Sequence, residues 1–329
     1  MKEMKKMKKI KEISDIKNAK DVKDVKDAKD VKVTKVEVPK KKTDWLKKLV
    51  AEPGKKHEVK NFKTDYTGGF KKKESQALLA ANIEKLAQLQ DKFYAYDKYS
   101  LLIVVQAMDA AGKDGTIKHV MSGINPQGCQ VFSFKQPSRE ELDHSYLWRI
   151  VKNMPERGRI GIFNRSHYED VLVSRVHPEY ILNSQLPNIN SLNDINEKFW
   201  ENRYRQINDF ERSWVENGTI ILKFFLNVSQ EEQEKRLSER LNNPDKIWKL
   251  SESDLKERAY WKDYMSAFSD MLSNTSTEYA PWHVIPADNK WFMRYAVGSI
   301  ITDTMEKLPI SYPKISEEER KKLAENLVI

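Results

Sequence analysis

The sequence predicts an α/β fold, a parallel five-stranded sheet with helices on both faces. Three observations carry this. Strand-like and helix-like segments alternate from about residue 100 to 308. The strand candidates read as continuous apolar runs, clearest at 219–226, as strands covered on both faces do. Residues 101–116, LLIVVQAMDAAGKDGT, run an apolar strand into a glycine-and-lysine loop and on into a helix.

Taken in order, residues 1–43 are low complexity. A Lys-Asp-Val/Ala triplet recurs through 21–29, and a period of three fits neither a helix stripe nor a strand face. This tail is expected to be disordered. Residues 44–98 form an N-terminal extension, irregular around Pro53-Gly54 and Gly68-Gly69, then helical over 73–96, where Leu79, Ile83, Leu86, Gln90 and Phe93 share one face. The core spans 99–310. Its strands are expected at 100–106, 129–134, 159–163, 219–226 and 282–286. Its helices are expected at 113–122, 138–153, 195–216, 229–242, 252–272 and 290–308. Ser138 with Glu141 and Ser229 with Glu232 have capping-box spacing, and Pro244 closes the second of these helices. Residues 311–329 are a C-terminal segment.

The chain has 329 residues, 39% of them hydrophobic, enough for a sizeable core. Its single cysteine, Cys129, excludes an internal disulfide framework and reads as a small buried hydrophobe. With no secretory signal and no apolar run long enough to span a bilayer, a reducing cytoplasm is expected. Residues 1–43 hold 16 lysines against 8 acids, so eight of the nine net positive charges belong to the tail. The near-neutral remainder argues against nucleic acid as the main partner.

The loop after the first strand departs from the standard G-x-x-x-x-G-K-[ST] form. The first glycine is Ala107, and Asp114 stands at the hydroxyl position; Gly112 and Lys113 keep theirs. Backbone N–H groups and the helix dipole still favour an anion there, so Ala110, Ala111, Gly112, Lys113, Asp114, Gly115 and Thr116 are the expected phosphate contacts. Without the hydroxyl that usually holds Mg2+, Asp109 is the substitute metal ligand, since Mg2+ takes one or two carboxylates plus waters and substrate phosphates. The strand at 159–163 ends in Asn164, a neutral amide where an acid is usual, and Arg165 follows, suited to a transferring phosphoryl group by its permanent charge and forked donors. Residues 174–206, with Arg175, His177, Arg203 and Arg205, read as a lid over the phosphates. His119, His144, His167 and His177 lack metal spacing, and Ser166 lacks a hydrolase elbow. Trp148, Trp200, Trp248, Trp261 and Trp291 read as core. Lys246 and Lys249 either line a polyanion channel or flank Trp248, and Arg236 and Arg240 meet either Glu232 or a phosphate.

Several stretches together resemble the family-2 polyphosphate kinases: AMDAAGKDGTIKHV (107–120), NPQG (125–128), LWR (147–149), IGIFNRSHYEDVLVSRVHPE (160–179), FFLNVSQEEQEKRL (224–237), KIWKLSESD (246–254) and PADNKW (286–291). The resemblance covers roughly 60–308 and is nearest the class III subgroup. It implies a P-loop kinase core that grips inorganic polyphosphate, with AMP and ADP as acceptors and ADP and ATP as products, and a homo-oligomer. It implies that Asp109, Lys113 and Arg165 are catalytic and that Asn164, Arg165, Tyr168 and Glu169 face the nucleotide. Many relatives have Gly at Ala107 and Asp at Asn164. The rival readings are an ADP-only enzyme, a conventional ATP-dependent nucleotide kinase, which would want Ser or Thr at 114 and an acid at 164, and a non-catalytic polyanion-binding protein.

Overall fold

The computed structural model describes residues 45–327; the low-complexity segment 1–43 lies outside them. The five strands are β1 (Ser100–Gln106), β2 (Cys129–Ser133), β3 (Ile160–Asn164), β4 (Thr219–Asn227) and β5 (Trp282–Pro286). They pair in the order β2-β3-β1-β4-β5, every pair parallel. The expected strands therefore stand within a residue or so of their observed bounds. The reason is chemical: β1, β3 and β4 are buried almost throughout, so their apolar runs are unbroken, whereas edge strand β2 is largely exposed.

The helices are α1 (Lys72–Tyr96), α2 (Lys113–Val120), α3 (Arg139–Leu142), α4 (Trp148–Val151), α5 (Glu169–Val176), α6 (Glu179–Leu182), α7 (Glu197–Glu216), α8 (Gln230–Leu241), α9 (Glu252–Glu257), α10 (Trp261–Thr275), α11 (Lys290–Glu306) and α12 (Glu317–Leu327). On one face, Ile103, Val105, Ile162, Phe224 and Leu226 meet Val120 of α2 and Val297 and Ile301 of α11, and α1 packs on α11. The other face carries α7 against β4, with α10 on α5 and α7. There Phe225 stacks on Phe268 at 4.2 Å. Upstream of α1 the chain is pinned to the core: Trp45 stacks on Tyr295 of α11 at 5.5 Å, and the Ala51 N–H donates to the Trp282 carbonyl at the outer side of β5.

The helices depart from expectation at three places. Residues 138–153 are two short helices, because Asp143, His144 and Ser145 are poor helix formers and the His144 ring takes up the Glu140 carbonyl in place of a backbone amide. The expected helix at 252–272 is interrupted by a 3-10 turn, Arg258–Tyr260. Helix α5 was not anticipated; its Val-Leu-Val run has strand-like chemistry, and tertiary packing overrides it. Ser229 keeps only half of its capping box. It accepts from the Glu232 N–H at 3.1 Å, but its own N–H goes to Asp288.

From β3 the chain crosses β1 to reach β4, so the carboxyl ends of β1 and β3 open a crevice at the point where strand order reverses, where ligands bind in open α/β sheets. Both motif-bearing turns leave the sheet there.

Candidate functional site

The first turn, residues 107–112, is held from behind. Gln233 Nε2 donates to the Asp109 carbonyl at 3.1 Å, and Arg236 Nη1 donates to Ala110 at 3.3 Å and Ala111 at 2.6 Å. Arg236 also reaches the carbonyls of Ala287 and Asp288 and pairs with Glu232 at 2.8 Å. Three successive carbonyls thus point towards α8, and the Ala111 N–H donates to the Met108 carbonyl at 3.3 Å, so the N–H groups at the start of α2 are the ones open to an anion. Two positions take left-handed backbone to make this turn: Gly112 at φ +109° and Ala110 at +60°. Gly112 tolerates it freely; a Cβ there would also meet the Met293 Cε at 3.1 Å.

Lys113 opens α2. Its buried ammonium donates to the carbonyls of Ala107 at 2.8 Å and Met108 at 3.3 Å, leaving its third donor uncommitted among the described residues. Burial pulls its pKa down, and Asp109 works against that. The N–H groups of Lys113, Asp114 and Gly115 stand at the helix start, where no intrahelical acceptor exists. Thr116 is a correction to the expected phosphate set. Its N–H and its hydroxyl both donate to the Gly112 carbonyl, and the side chain is buried against the sheet.

The second turn brings Arg165 to the first. Arg165 is left-handed at φ +66°, its N–H donates to Val105 at 3.1 Å, and its Nη2 lies 2.9 Å from Asp109 Oδ1. Burial disfavours the charged guanidinium, but Glu169 and Asp109 outweigh it and hold the pKa above its ordinary value. Burial raises the Glu169 carboxyl, against the opposing pull of Arg165 and Lys113. Asn164 Nδ2 donates to Asp114 Oδ1 at 2.8 Å, an arrangement that an acid at 164 would turn into carboxylate against carboxylate. Lys249 approaches Asp114 at 3.8 Å. Beside it, Trp248 is 75% exposed, so it is not the core residue expected.

Between these turns lies a cavity of about 770 Å3, within the usual size of small-molecule sites. Asp109, Arg165, Glu169 and Asp170 stand on its wall with Arg149 and Arg203, and Phe134, Tyr146, Leu186 and Phe268 supply apolar surface. Arg203 lies over the rings of Tyr146 at 4.1 Å and Phe199 at 5.1 Å. Burial pushes the Tyr146 hydroxyl up to about 12. Burial also raises Asp170, opposed by Arg203 and Arg149.

Other expected residues stand elsewhere. Arg175 is tied to Glu197 at 2.9 Å and Asp270 at 3.5 Å, with Trp200 beneath it, and does not line the cavity. Arg205 pairs with Asp209 on the exposed side of α7. Tyr168 is wholly buried, with its hydroxyl on Glu211 at 2.7 Å, so it does not face a nucleotide. Arg236 takes the first of its two readings, Glu232 and the loop carbonyls. Sequence reasoning missed Gln106, Gln233 and Arg149. The Gln106 amide donates to Ser166 Oγ at 3.1 Å and joins the two turns. Its one signal was a polar residue closing an apolar strand.

Asp109 is the carboxylate of the first turn that lines the cavity. No group of three or more acid, His or Cys side chains that could hold a metal occurs among the described residues. The donor chemistry fits Mg2+, which takes few carboxylates and completes its shell with phosphate oxygens and water, and not a metal needing a full protein cage.

The chain matches known proteins along most of its length. The profile of the family described as Polyphosphate kinase 2 (PPK2) matches residues 69–312. An ADP-polyphosphate phosphotransferase of Rhodopseudomonas palustris is 48% identical over 271 residues, 82% of this chain and 93% of that protein. An AMP/ADP-polyphosphate phosphotransferase of Meiothermus ruber is 44% identical over 271 residues, 82% of this chain and 96% of that protein. The crystal structure of polyphosphate kinase 2 from Arthrobacter aurescens TC1 superposes with a TM-score of 0.74 at 41% identity, covering 84% of this chain and 98% of that one. The sheet order, the two assembled turns and these matches agree: the chain belongs to the polyphosphate kinase 2 family.

Proposed function

We infer that the protein is a polyphosphate-dependent nucleotide kinase that moves the terminal phosphoryl group of inorganic polyphosphate onto AMP and onto ADP, forming ADP and ATP. The observation that carries the reading is that Asp109 and Arg165, 2.9 Å apart, belong at once to the anion-binding turns and to the cavity wall. A phosphate chain in the loop and a nucleotide phosphate in the cavity then meet at one pair of side chains.

In this reading the loop N–H groups and Lys113 hold the donor phosphates, and Arg165 neutralises charge on the phosphoryl group in transit. The acceptor is a nucleotide phosphate oxygen, already ionised at neutral pH, so no general base is required. The histidines nearby are otherwise engaged: His144 on the cavity wall has its ring Nδ1 on the Glu140 carbonyl at 2.8 Å, His167 is buried, and His177 bonds Glu257. Asp109 would hold Mg2+, which would supply positive charge against the repulsion between two polyanions. Beyond the loop, burial and then neighbouring cations lower Lys290 and Arg294, Arg236 acting on both. Lys290 meets Glu239 at 3.9 Å, so Arg294 is the less offset of the two cations, and its charge suits the remainder of a polyphosphate chain. Arg203 and Arg149 offer further cations on the cavity wall for the nucleotide. An acceptor chain of two lengths is compatible with charges that act on whichever phosphoryl oxygen comes within reach.

The test is product formation from polyphosphate and Mg2+ with AMP or ADP, free of adenylate kinase, with ATP as donor in parallel. ADP from AMP and ATP from ADP are expected. Inert AMP beside a reactive ADP would favour the ADP-only reading, and a reaction driven by ATP but not by polyphosphate would overturn the assignment.

A further inference from the structure

Beneath the arginine turn lies a group of buried polar side chains that the transfer reaction does not use. Lys223, in the middle of β4, is wholly buried, and its ammonium donates to Glu211 Oε2 of α7 at 2.6 Å, to the Tyr168 hydroxyl at 2.9 Å and to the Thr275 carbonyl of α10 at 2.7 Å. All three of its donors are thereby used. The Tyr168 hydroxyl in turn donates to Glu211 Oε1 at 2.7 Å, and His167 Nε2 stands 3.4 Å from the same oxygen. Trp282 of β5 closes the site edge-on to the Tyr168 ring at 4.7 Å.

Stability does not account for this arrangement. Removing two charges from water is costly, and well-packed apolar residues of similar volume are often as stable or more so. The neighbours of Lys223 along β4 are apolar and buried, so an aliphatic residue is the ordinary solution there. What the ion pair does touch is the segment that carries Arg165. Tyr168 and His167 follow Arg165 by three and two residues, and Arg165 sits in left-handed backbone, which is strained for a residue with a Cβ. Such a conformation persists only where its surroundings over-determine it. From the sheet side the turn is fastened by the Arg165 N–H on Val105 and by Gln106 on Ser166. From below it is fastened by the lysine–glutamate pair.

We propose that Lys223 and Glu211 are positioning residues: by anchoring Tyr168 and His167 they hold the turn after β3 so that the Arg165 guanidinium stays on Asp109 and faces the transferring phosphoryl group. This rests on the role given to Arg165 above, and the test separates the two. The variants are Glu211→Leu/Lys223→Met, which removes both charges at similar volume, Tyr168→Phe, which removes only the bridging hydroxyl, Arg165→Ala, and each of the first two combined with Arg165→Ala. In the Glu211→Leu/Lys223→Met protein kcat is expected to fall about tenfold or more, with KM for polyphosphate and for ADP within about twofold and Tm not lowered. Tyr168→Phe is expected to move kcat in the same sense by less, and it carries the test if the double variant does not fold. In the Arg165→Ala background, assayed at enzyme concentrations that bring its residual rate above background, neither change should lower kcat further, because residues acting through one another are not additive. A wild-type kcat in the folded double variant, or in Tyr168→Phe where the double variant does not fold, would overturn the proposal while leaving Arg165 in its role. So would losses that add fully to that of Arg165→Ala. An unchanged rate in Arg165→Ala itself would overturn both.

Discussion

At the scale of residues, the Lys113 ammonium, the Asp109 carboxylate and the Arg165 guanidinium are brought together from two parts of the chain. Lys113 and Asp109 come from one turn, and Arg165 arrives from another 56 residues away in sequence. Lys113→Ala and Asp109→Asn are each expected to lower kcat/KM for ADP about 10²- to 10³-fold, roughly 3–4 kcal/mol of transition-state stabilisation, with the melting curve little changed. Retention of more than about a tenth of the rate in both, measured with polyphosphate and Mg2+, would remove the loop from the reaction. These three residues were legible because each is a charged group at a strand's carboxyl end, where chemistry and position point the same way. Thr116, Tyr168 and Arg175 were misread for one reason. Nearness in sequence to a motif does not say which side of a helix a side chain takes, and all three turn away from the crevice, towards Gly112, Glu211 and Glu197. Gln233 could not be read at all, since its acceptor, the Asp109 carbonyl, lies 124 residues earlier.

Among the elements, α8 does more than cover the sheet. Its buried Arg236 ties the loop carbonyls to the turn between β5 and α11, so one guanidinium fixes two connections at once. Arg236→Lys keeps the charge but not the fork, and leaves buried carbonyls without donors. It is expected to lower stability by about 2–4 kcal/mol and to raise KM for polyphosphate more than it changes KM for ADP. Equal changes in the two KM values would mean that α8 does not shape the loop. On β5, burial pushes His283 down to about 4 from its ordinary 6.5. The folded pKa lies below the unfolded one, so the unfolded chain binds the proton first as pH falls. The stability contributed by neutral His283 is complete above about pH 6.5 and is lost as pH drops towards 4, by up to about 3 kcal/mol. Melting temperature measured across that window should fall more steeply in wild type than in His283→Leu, and identical slopes would count against the shift. The strands could be read because burial on both faces writes itself as unbroken apolar sequence. The break in 138–153 could not be placed because one side-chain bond within it, His144 on the Glu140 carbonyl, interrupts the helix, and α5 could not because its packing partners α7 and α10 are distant in sequence.

For the whole molecule, the informative quantity is where the charge lies. Sheet order, the crevice and the two turns follow from residues 99–310, a stretch whose charges nearly cancel, and its fold class could be read from alternation and apolar runs alone. The large surplus sits in residues 1–43, which carry eight of the nine net positive charges and stand outside the described residues. A core with its own anion-binding turns does not need that segment to transfer a phosphoryl group. A polyanionic substrate will nevertheless be drawn to 16 lysines through long-range attraction, which salt screens over about 8 Å at physiological ionic strength. Deleting residues 1–43 is therefore expected to leave kcat unchanged and to raise KM for long polyphosphate at low salt. The difference from the full chain should shrink as salt is added and should be smallest for short polyphosphates, which span fewer tail charges. KM for ADP should not move, since the cavity proposed to take the nucleotide is lined by core residues. The measurement is a salt series of KM and kcat for both chains with long and short polyphosphate. A fall in kcat that persists at high salt would make the tail part of the reaction site, and equal KM values at every salt concentration would leave it without a role in substrate capture.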